Sequence, residues 1–531
     1  MALLIPNFDQ TTSRPEFDPA IVVADMFEDN ALPNQLVFVD EQPELRWMLR
    51  QAHLEQLDWW NVFDVIQQVE IRQLKPVMVR DIMDMAEYEP FMNDAETYYY
   101  DQQGRKVCHV RLKERQFVTT VEVFLSDGGQ LVQYYDDRGF LSYQEHMAAD
   151  GTPLEKTWYT PAGETVMTQH ADGKVDIAKA HQARFVQVQY PNLDKLIAEQ
   201  VNLYLDAQTN HRTLIADMNH PALKWLNNQP RGRLKKFLIL MQAGIDVTQP
   251  LPAQAELIFP SQQAQDALTE QQPLEQTSHV LAQYPTTLDL GTSNEQAQTI
   301  VYLRYATYAE QKERVFIETI CQMVADDDRL VFEIDFETVD VATSAFQAKI
   351  LAWIGQYYAV NFSSEHYQRF EAAFEKFDDL TEAEMLDFLD AQTESDDEPL
   401  IDEDEQEKFV AAYQMRQRIN FVVQRPEDEQ QDILHVARLY IDLHAITDQR
   451  TQMLAVSAGI PQIVMGENEL IENWVNGVTV SDIDEVVPAM DYFLSNMQHW
   501  NQAVVTNVEK IDQYSETVLV HAWEEVMHDG Q

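Results

Sequence analysis

From Gly128 to Gly173 the chain turns back on itself at a nearly fixed interval, and that rhythm leaves few folds open. Asp127-Gly128-Gly129, Asp137-Arg138-Gly139, Asp150-Gly151, Ala162-Gly163 and Asp172-Gly173 recur at about ten- to twelve-residue spacing, with Gln103-Gly104 ahead of them. Between them lie Leu131 to Tyr135, Phe140 to His146, Leu154 to Tyr159 and Glu164 to Gln169. These runs are dotted with Tyr134, Tyr135, Phe140, Tyr143, Trp158 and Tyr159. Aromatic and β-branched residues suit a pleated surface, and tight turns join antiparallel neighbours. The stretch from Tyr98 to Ile177 therefore reads as an antiparallel β-meander.

On both sides of it the pattern changes to strand and helix in alternation, which implies a parallel sheet. Ala2 to Ile5 and Leu36 to Val39 read as strands, with a helix over Ala20 to Asn30 between them. A helix then carries Leu45, Met48, Leu49 and Ala52 on one face, and Val77-Met-Val-Arg80 reads as another strand. After the meander, Leu214 to Ala216, Phe237 to Met241 and Glu256 to Phe259 are buried strands. Pro260-Ser261 opens a helix through Leu268, and Tyr284-Pro285 leads toward a second domain. Its strands are expected at Thr299 to Tyr305, Leu330 to Ile334, Asn420 to Val423 and Arg438 to Leu443, and Met497 to Met527 is expected as helix.

Leu454 to Val480 is the most telling segment for function. A helix ends at Ala458-Gly459, Pro461 stops it, and Gln462 to Met465 enters a buried strand. A helical turn is expected over Glu469 to Trp474, closed by Asn476-Gly477 before a strand at Val478 to Val480. This order resembles the sugar-donor end of retaining GT-B glycosyltransferases, E-A-x-A-x-G-x-P-V-V, then P-E-L-I, then N-G-x-L-V. Gly459, Pro461, Glu469, Leu470, Ile471, Asn476 and Gly477 match. Pro260-Ser261-Gln262-Gln263-Ala264 likewise resembles the [PT]-S-x-x-A of those enzymes. The resemblance implies one carboxylate seven residues before the proline and another eight residues earlier, and here those positions hold Leu454 and Ile446. Neither can accept a hydrogen bond or carry charge, whereas glycosyl transfer needs carboxylates and phosphate-facing cations. Of the phosphate-side G-R-L-x-x-x-K pattern only Arg304 has a counterpart, with Lys312 arriving late. Asp448 is the one acid placed to substitute, and it reads first as a surface turn residue.

With 531 residues, two or three domains are expected. A net charge of −52 opposes the counterion-releasing contacts that nucleic acid requires and disfavours docking on anionic lipid, while favouring basic partners. Cys108 and Cys321 are the only cysteines, so no disulfide framework or common zinc spacing is available. No secretory signal is expected from Met1-Ala-Leu-Leu-Ile-Pro6, and no apolar run approaches the ~20 residues that span a bilayer. P-loop, dinucleotide, zincin and nucleophile-elbow motifs are all missing. Asp378 to Glu407 is an acidic block that reads as a solvated insertion, with a docking strip for a basic partner as the second reading. Met385, Leu386 and Phe388 could form a short turn inside it. Arg231 to Lys236 reads as a solvated approach to a strand, and Trp59-Trp60 as core before carbohydrate platform.

Gln42-Pro-Glu-Leu-Arg46, Asp58-Trp-Trp-Asn-Val-Phe-Asp64, Tyr135-Asp-Asp-Arg-Gly-Phe-Leu-Ser142 and Tyr440-Ile-Asp-Leu-His444 leading to Ala455–Gln462 occur here in one order. Together they resemble the first accessory secretory protein family of the accessory Sec system in Gram-positive bacteria, over nearly the full length. The fold expected is α/β, a GT-B-like pair of Rossmann-like domains with an inserted antiparallel β-meander module. Residues 1–90 and 180–295 would form the first domain, 91–179 the module and 296–500 the second domain, with the acidic insertion at 378–407. Residues 501–531 would pack back on the first.

The resemblance implies a non-catalytic cytoplasmic protein without cofactor or metal. It would work with the second and third accessory secretory proteins and the dedicated motor ATPase to export a glycosylated serine-rich-repeat adhesin. Partners would bring it to the inner face of the membrane. The alternative is an active or partner-dependent GT-B glycosyltransferase that modifies serine or threonine of the adhesin. No catalytic residue carries over. Arg304, Gly459, Pro461 and Glu469 would mark a vestigial donor cleft, and Tyr135, Arg138, Tyr143 and Trp158 a surface for partner or glycan.

Overall fold

The computed structural model describes residues 1–7, 14–70, 75–82, 88–93, 96–207, 212–226, 234–242, 251–374 and 403–528. The chain divides into two compact units, one of Met1–Phe259, Leu274–Gln283 and Val520–Gln531, the other of Pro260–Pro273 and Tyr284–Leu519.

In the first unit seven parallel strands lie in the order Ser278–Val280, Glu256–Phe259, Leu234–Leu240, Arg212–Asp217, Ala2–Ile5, Asn34–Phe38 and Trp59–Asn61. Ala2 to Ile5 are each at most 1% exposed, as a central parallel strand covered on both faces requires. The helix Pro19–Asp29 starts where Asp18 accepts from the amides of Ala20 and Ile21, with Pro19 preset for the first turn. It buries Ile21, Val23, Ala24 and Phe27, and Phe27 meets Trp523 of the chain's last helix edge-on at 6.0 Å. The helix Leu45–Gln51 buries Leu45, Met48 and Leu49 as their spacing predicts. Val77 to Arg80 departs from expectation. Val79–Ile82 is a helical turn held by Asp81, which accepts from the Met78 amide, while Val77 packs into the core beneath the meander.

The meander is a ten-stranded antiparallel sheet from Glu89–Asn93 to Gln189–Tyr190, its strands neighbours in space in strict chain order. The four strands marked in the sequence form as Gln130–Asp136, Phe140–Met147, Pro153–Tyr159 and Thr165–His170. Gly139 is irreplaceable at its turn: φ is +95°, and an added Cβ would lie 2.0 Å from the Lys75 carbonyl oxygen.

In the second unit six parallel strands lie in the order Ile419–Val423, Leu330–Phe336, Thr299–Tyr305, Leu439–Asp442, Gln462–Met465 and Gly477–Val480. The helix Val341–Tyr358 is nucleated by a capping box between Asp340 and Thr343 and packs Phe346, Ile350 and Ile354, all fully buried, one turn apart. Each such side chain contributes roughly 1.5–3 kcal/mol.

Three expectations change here. Glu469 to Trp474 forms turns instead of helix: Asn468 accepts from the Leu470 amide, Asn476 binds the Leu470 carbonyl and Glu472 amide, and Trp474 has φ +64°. The terminal helix is broken into Met497–Gln513 and Glu516–His528, and at the break the Tyr514 carbonyl accepts from the Thr286 amide. Of the acidic block, 378–402 (with Met385, Leu386 and Phe388) lies outside the described residues, but Glu403 to Glu407 open the helix Glu403–Arg416. Residues 231–233 of the basic cluster also lie outside them. Lys236 donates to Glu256 at 3.1 Å and to the Val526 carbonyl at 2.6 Å. Among the described residues no helix is long and apolar enough to cross a membrane.

Candidate functional site

The strand order of the second unit places the candidate site. Thr299–Tyr305 comes first in the chain and lies mid-sheet, with Leu330–Phe336 on one side and Leu439–Asp442 on the other. Where the winding reverses, the carboxyl ends of doubly wound strands open a crevice that takes ligands. Arg304 and Asp442 stand there as register partners on adjacent strands.

Arg304 is enclosed by acids. Its Nη1 lies 3.2 Å from Asp442 Oδ2 and 3.8 Å from Asp448 Oδ2, and its Nη2 lies 3.6 Å from Glu337 Oε1. Asp442 is fully buried. It accepts from the Tyr440 hydroxyl at 2.9 Å and pairs with His444 Nδ1 at 2.7 Å, whose Nε2 lies 3.5 Å from Glu337. Burial alone would pull the Arg304 guanidinium down in pKa, but Asp442 and its neighbours outweigh it and hold it up. Burial pushes the Asp442 carboxyl up, yet Arg304 and His444 carry it below the usual range. His444 rises despite burial because Asp442 accepts its proton-bearing nitrogen. One arginine and one histidine thus face three carboxylates, a balance that repels a diphosphate instead of drawing it in.

The loops after the two following strands are tied to the helix Gln262–Gln271, which Ser261 caps. Gln263 donates to the carbonyls of Ala445 and Met465 and accepts from the Thr447 amide. Glu469, exposed, accepts from the Gln262 amide at 3.4 Å. It belongs to a hydrogen-bond set separate from that of Arg304. Gly459 ends the helix Gln449–Ser457 at φ +75°, and Pro461 precedes the strand Gln462–Met465, so both act in chain direction. Leu454 packs beside the buried Tyr302, Leu434, Tyr440 and Ile460, and Ile446 is half-buried. Asp448 caps the helix Gln449–Ser457 by accepting from the Thr451 amide, more than a surface turn residue. Lys312 pairs with Asp482 and lies 3.7 Å from Asp484.

The second group of sequence candidates is not a surface. Tyr135, Arg138, Tyr143 and Trp158 are 9%, 6%, 8% and 0% exposed. Arg138 grips Asp64 and Asp136, and the Trp158 indole donates to Glu41 at 2.7 Å, so these side chains join the meander to the rest of the first unit. Aromatic runs between glycine turns marked strands here, but not which face other elements cover. Asp442, Tyr302 and Tyr440 were missed as site residues. Tyr440 and Asp442 lay in a stretch that carried the family resemblance, but pairing them with Tyr302 and Arg304 needs the sheet register.

Replacing His444 by glutamine is expected to remove a pH-dependent part of the stability. Because its folded pKa is raised, the contribution is full below the unfolded value of about 6.5 and is lost as pH climbs through the folded one. The gap between wild-type and variant urea midpoints should narrow as pH rises above about 6.5. Midpoints that run parallel would take His444 out of the balance.

Comparison with known proteins fits this geometry. The sequence model of the family of the first accessory secretory protein, an accessory Sec system protein, matches residues 5–331 and 322–530. The accessory Sec system protein of that family from Streptococcus gordonii is 22% identical over 553 residues, covering 99% of this chain and 96% of the relative. Among solved structures, that of accessory secretory protein 1, 2 and 3 from Streptococcus pneumoniae contains a chain with TM-score 0.70 and 18% identity, and both chains are covered in full, 100% and 100%. The pneumococcal O-GlcNAc transferase GtfA, solved with UDP and GlcNAc, gives TM-score 0.61 at 12% identity, over 100% of this chain and 99% of that one. These likenesses establish an α/β, GT-B-like fold.

Proposed function

This chain belongs to the family of the first accessory secretory protein of the accessory Sec system, and from that premise we propose that it is a non-catalytic assembly component of accessory Sec export. In this reading it joins the second and third accessory secretory proteins and the dedicated motor ATPase in exporting a glycosylated serine-rich-repeat adhesin. It is a cytoplasmic protein that reaches the membrane through its partners. Its place in accessory Sec protein transport follows from the family; the partners and cargo are the proposal. The pneumococcal structure of proteins 1, 2 and 3 supports the first two partners.

One observation carries the non-catalytic part. The cation that could meet a donor phosphate, Arg304, is already matched by Asp442, Asp448 and Glu337. The positions where the enzymes' acids would stand hold Ile446 and Leu454. A fold outlives its chemistry when the site is rebuilt as a structural ion pair. The competing reading, a glycosyltransferase acting on serine or threonine, has the likeness to the O-GlcNAc transferase in its favour.

Isothermal titration with UDP-N-acetylglucosamine and UDP-glucose, with donor hydrolysis followed in the same samples, separates the two. No heat and no turnover are expected, together with co-purification of the second and third accessory proteins on co-expression. Saturable donor binding with turnover would replace this proposal by the enzyme.

A further inference from the structure

The first unit contains a cavity of about 400 Å³ beside the edge strand Trp59–Asn61, lined by that strand, by Asp64, Val65 and Gln68 to Glu70, and by Arg184. We infer that this cavity is a binding site for a small neutral sugar, one pyranose or a short glycoside.

Four features select that ligand class. The first is the Trp60 indole. Tyr204 stacks on Trp60 with centroids 4.1 Å apart, covering one ring face and stiffening a side chain that lines the cavity. The negative π-face of an indole attracts the weakly positive C–H groups of a sugar ring, and a rigid aromatic loses little entropy in doing so.

The second is unspent hydrogen-bonding capacity. Asn61 is 4% exposed; its Oδ1 accepts from the amides of Phe63 and Asp64, but its Nδ2 has no hydrogen-bond partner among the described residues. The Trp60 indole N–H is also unpartnered among them. Asn61 and Trp60 both line the cavity, so these donors are open to solvent and to a ligand oxygen that takes the place of water. Gln68 and Glu70, both exposed at the rim, add acceptors of the planar type that meet hydroxyl groups.

The third is charge. Arg184 spends its guanidinium on the carbonyls of Val65 and Ile66 at the end of the helix Val62–Gln67, and Asp64 is held by Arg138 with two bonds of 2.7 Å. Among the described lining residues the charge of Glu70 is then set against that of Arg184, so the cavity has no net charge and, with the Arg184 donors turned to carbonyls, offers a phosphate or sugar acid little attraction. The fourth is size, at the small end of ligand pockets of roughly 300–1,000 Å³. This inference does not depend on the export reading, since any neutral glycoside tests it.

Saturation-transfer NMR on the full-length protein, with methyl glycosides of glucose, N-acetylglucosamine and glucuronic acid, is the test. Transfer to the two neutral glycosides is expected, with glucuronide binding at least tenfold weaker. Trp60→Ala and Asn61→Asp should each weaken neutral binding at least tenfold. Asn61→Asp keeps the acceptor that caps the helix while replacing the free donor by a charged acceptor oxygen, so it reads binding even if Trp60→Ala folds poorly. No transfer from either neutral glycoside, equal binding of glucuronide, or unchanged affinity in the folded Asn61→Asp protein would each overturn the inference.

Discussion

Asp442→Ala is expected to lower the unfolding free energy by about 3–5 kcal/mol, the cost of leaving a buried charge without its partner. Asp442 is 0% exposed and satisfies Arg304, His444 and the Tyr440 hydroxyl at once. Once it is gone, Arg304 has only Asp448 and Glu337, at 3.8 and 3.6 Å. The contrast lies in the double variant Arg304→Met with Asp442→Leu. Removing both charges removes the desolvation cost along with the attraction, so most of the loss should return. Urea unfolding of the three proteins measures this. A loss below about 1 kcal/mol for Asp442→Ala, the scale of a surface pair, would mean that Arg304 does not depend on it. The guanidinium would then be free to meet an anion, and the donor-site reading would regain ground.

That pair shows what was legible in the sequence and what was not. Arg304 could be chosen because it alone matches the phosphate-side pattern of the GT-B enzymes, and the strand Thr299–Tyr305 has the limits read from the sequence. Its partner lies 138 residues away and is fixed only by parallel register. Local chemistry read most elements correctly where turn residues and periodicity agreed, as at the helix begun after Pro260-Ser261 and the glycine turns of the meander. It failed where side chains overrode the local pattern. Asn468 and Asn476 bind the backbone from Leu470 to Glu472 and replace a helical turn, and Asp81 winds a turn from residues with strand propensity. Regularly spaced glycine turns located the strands of the meander, but Arg138 and Trp158 meet Asp64 and Glu41, far off in sequence. The cavity at Trp59 and Trp60 was harder still, because core and ligand platform use the same residues.

Arg138→Ala is the second large effect, and it separates a structural clamp from a recognition residue. The guanidinium donates to Asp64 through Nη1 and Nη2 and to Asp136 through Nε and Nη2, all four bonds at 2.7 Å. Asp64 lies on the helix Val62–Gln67 and Asp136 ends a meander strand, so one side chain fastens the two elements. Alanine would leave two carboxylates facing each other with little solvent, for a loss of about 3–5 kcal/mol. Lysine should recover less than half of it, since a point charge cannot reproduce two bidentate forks. Amide exchange should then rise selectively in Val62–Gln67 and in Phe140–Met147, where Gln67 bonds the Ser142 carbonyl at 2.7 Å. A residue serving recognition alone would behave differently: its alanine variant would stay within about 0.5 kcal/mol of wild type, as surface substitutions do. Full rescue by Arg138→Lys would show that charge alone, without the fork, suffices to hold the helix to the sheet.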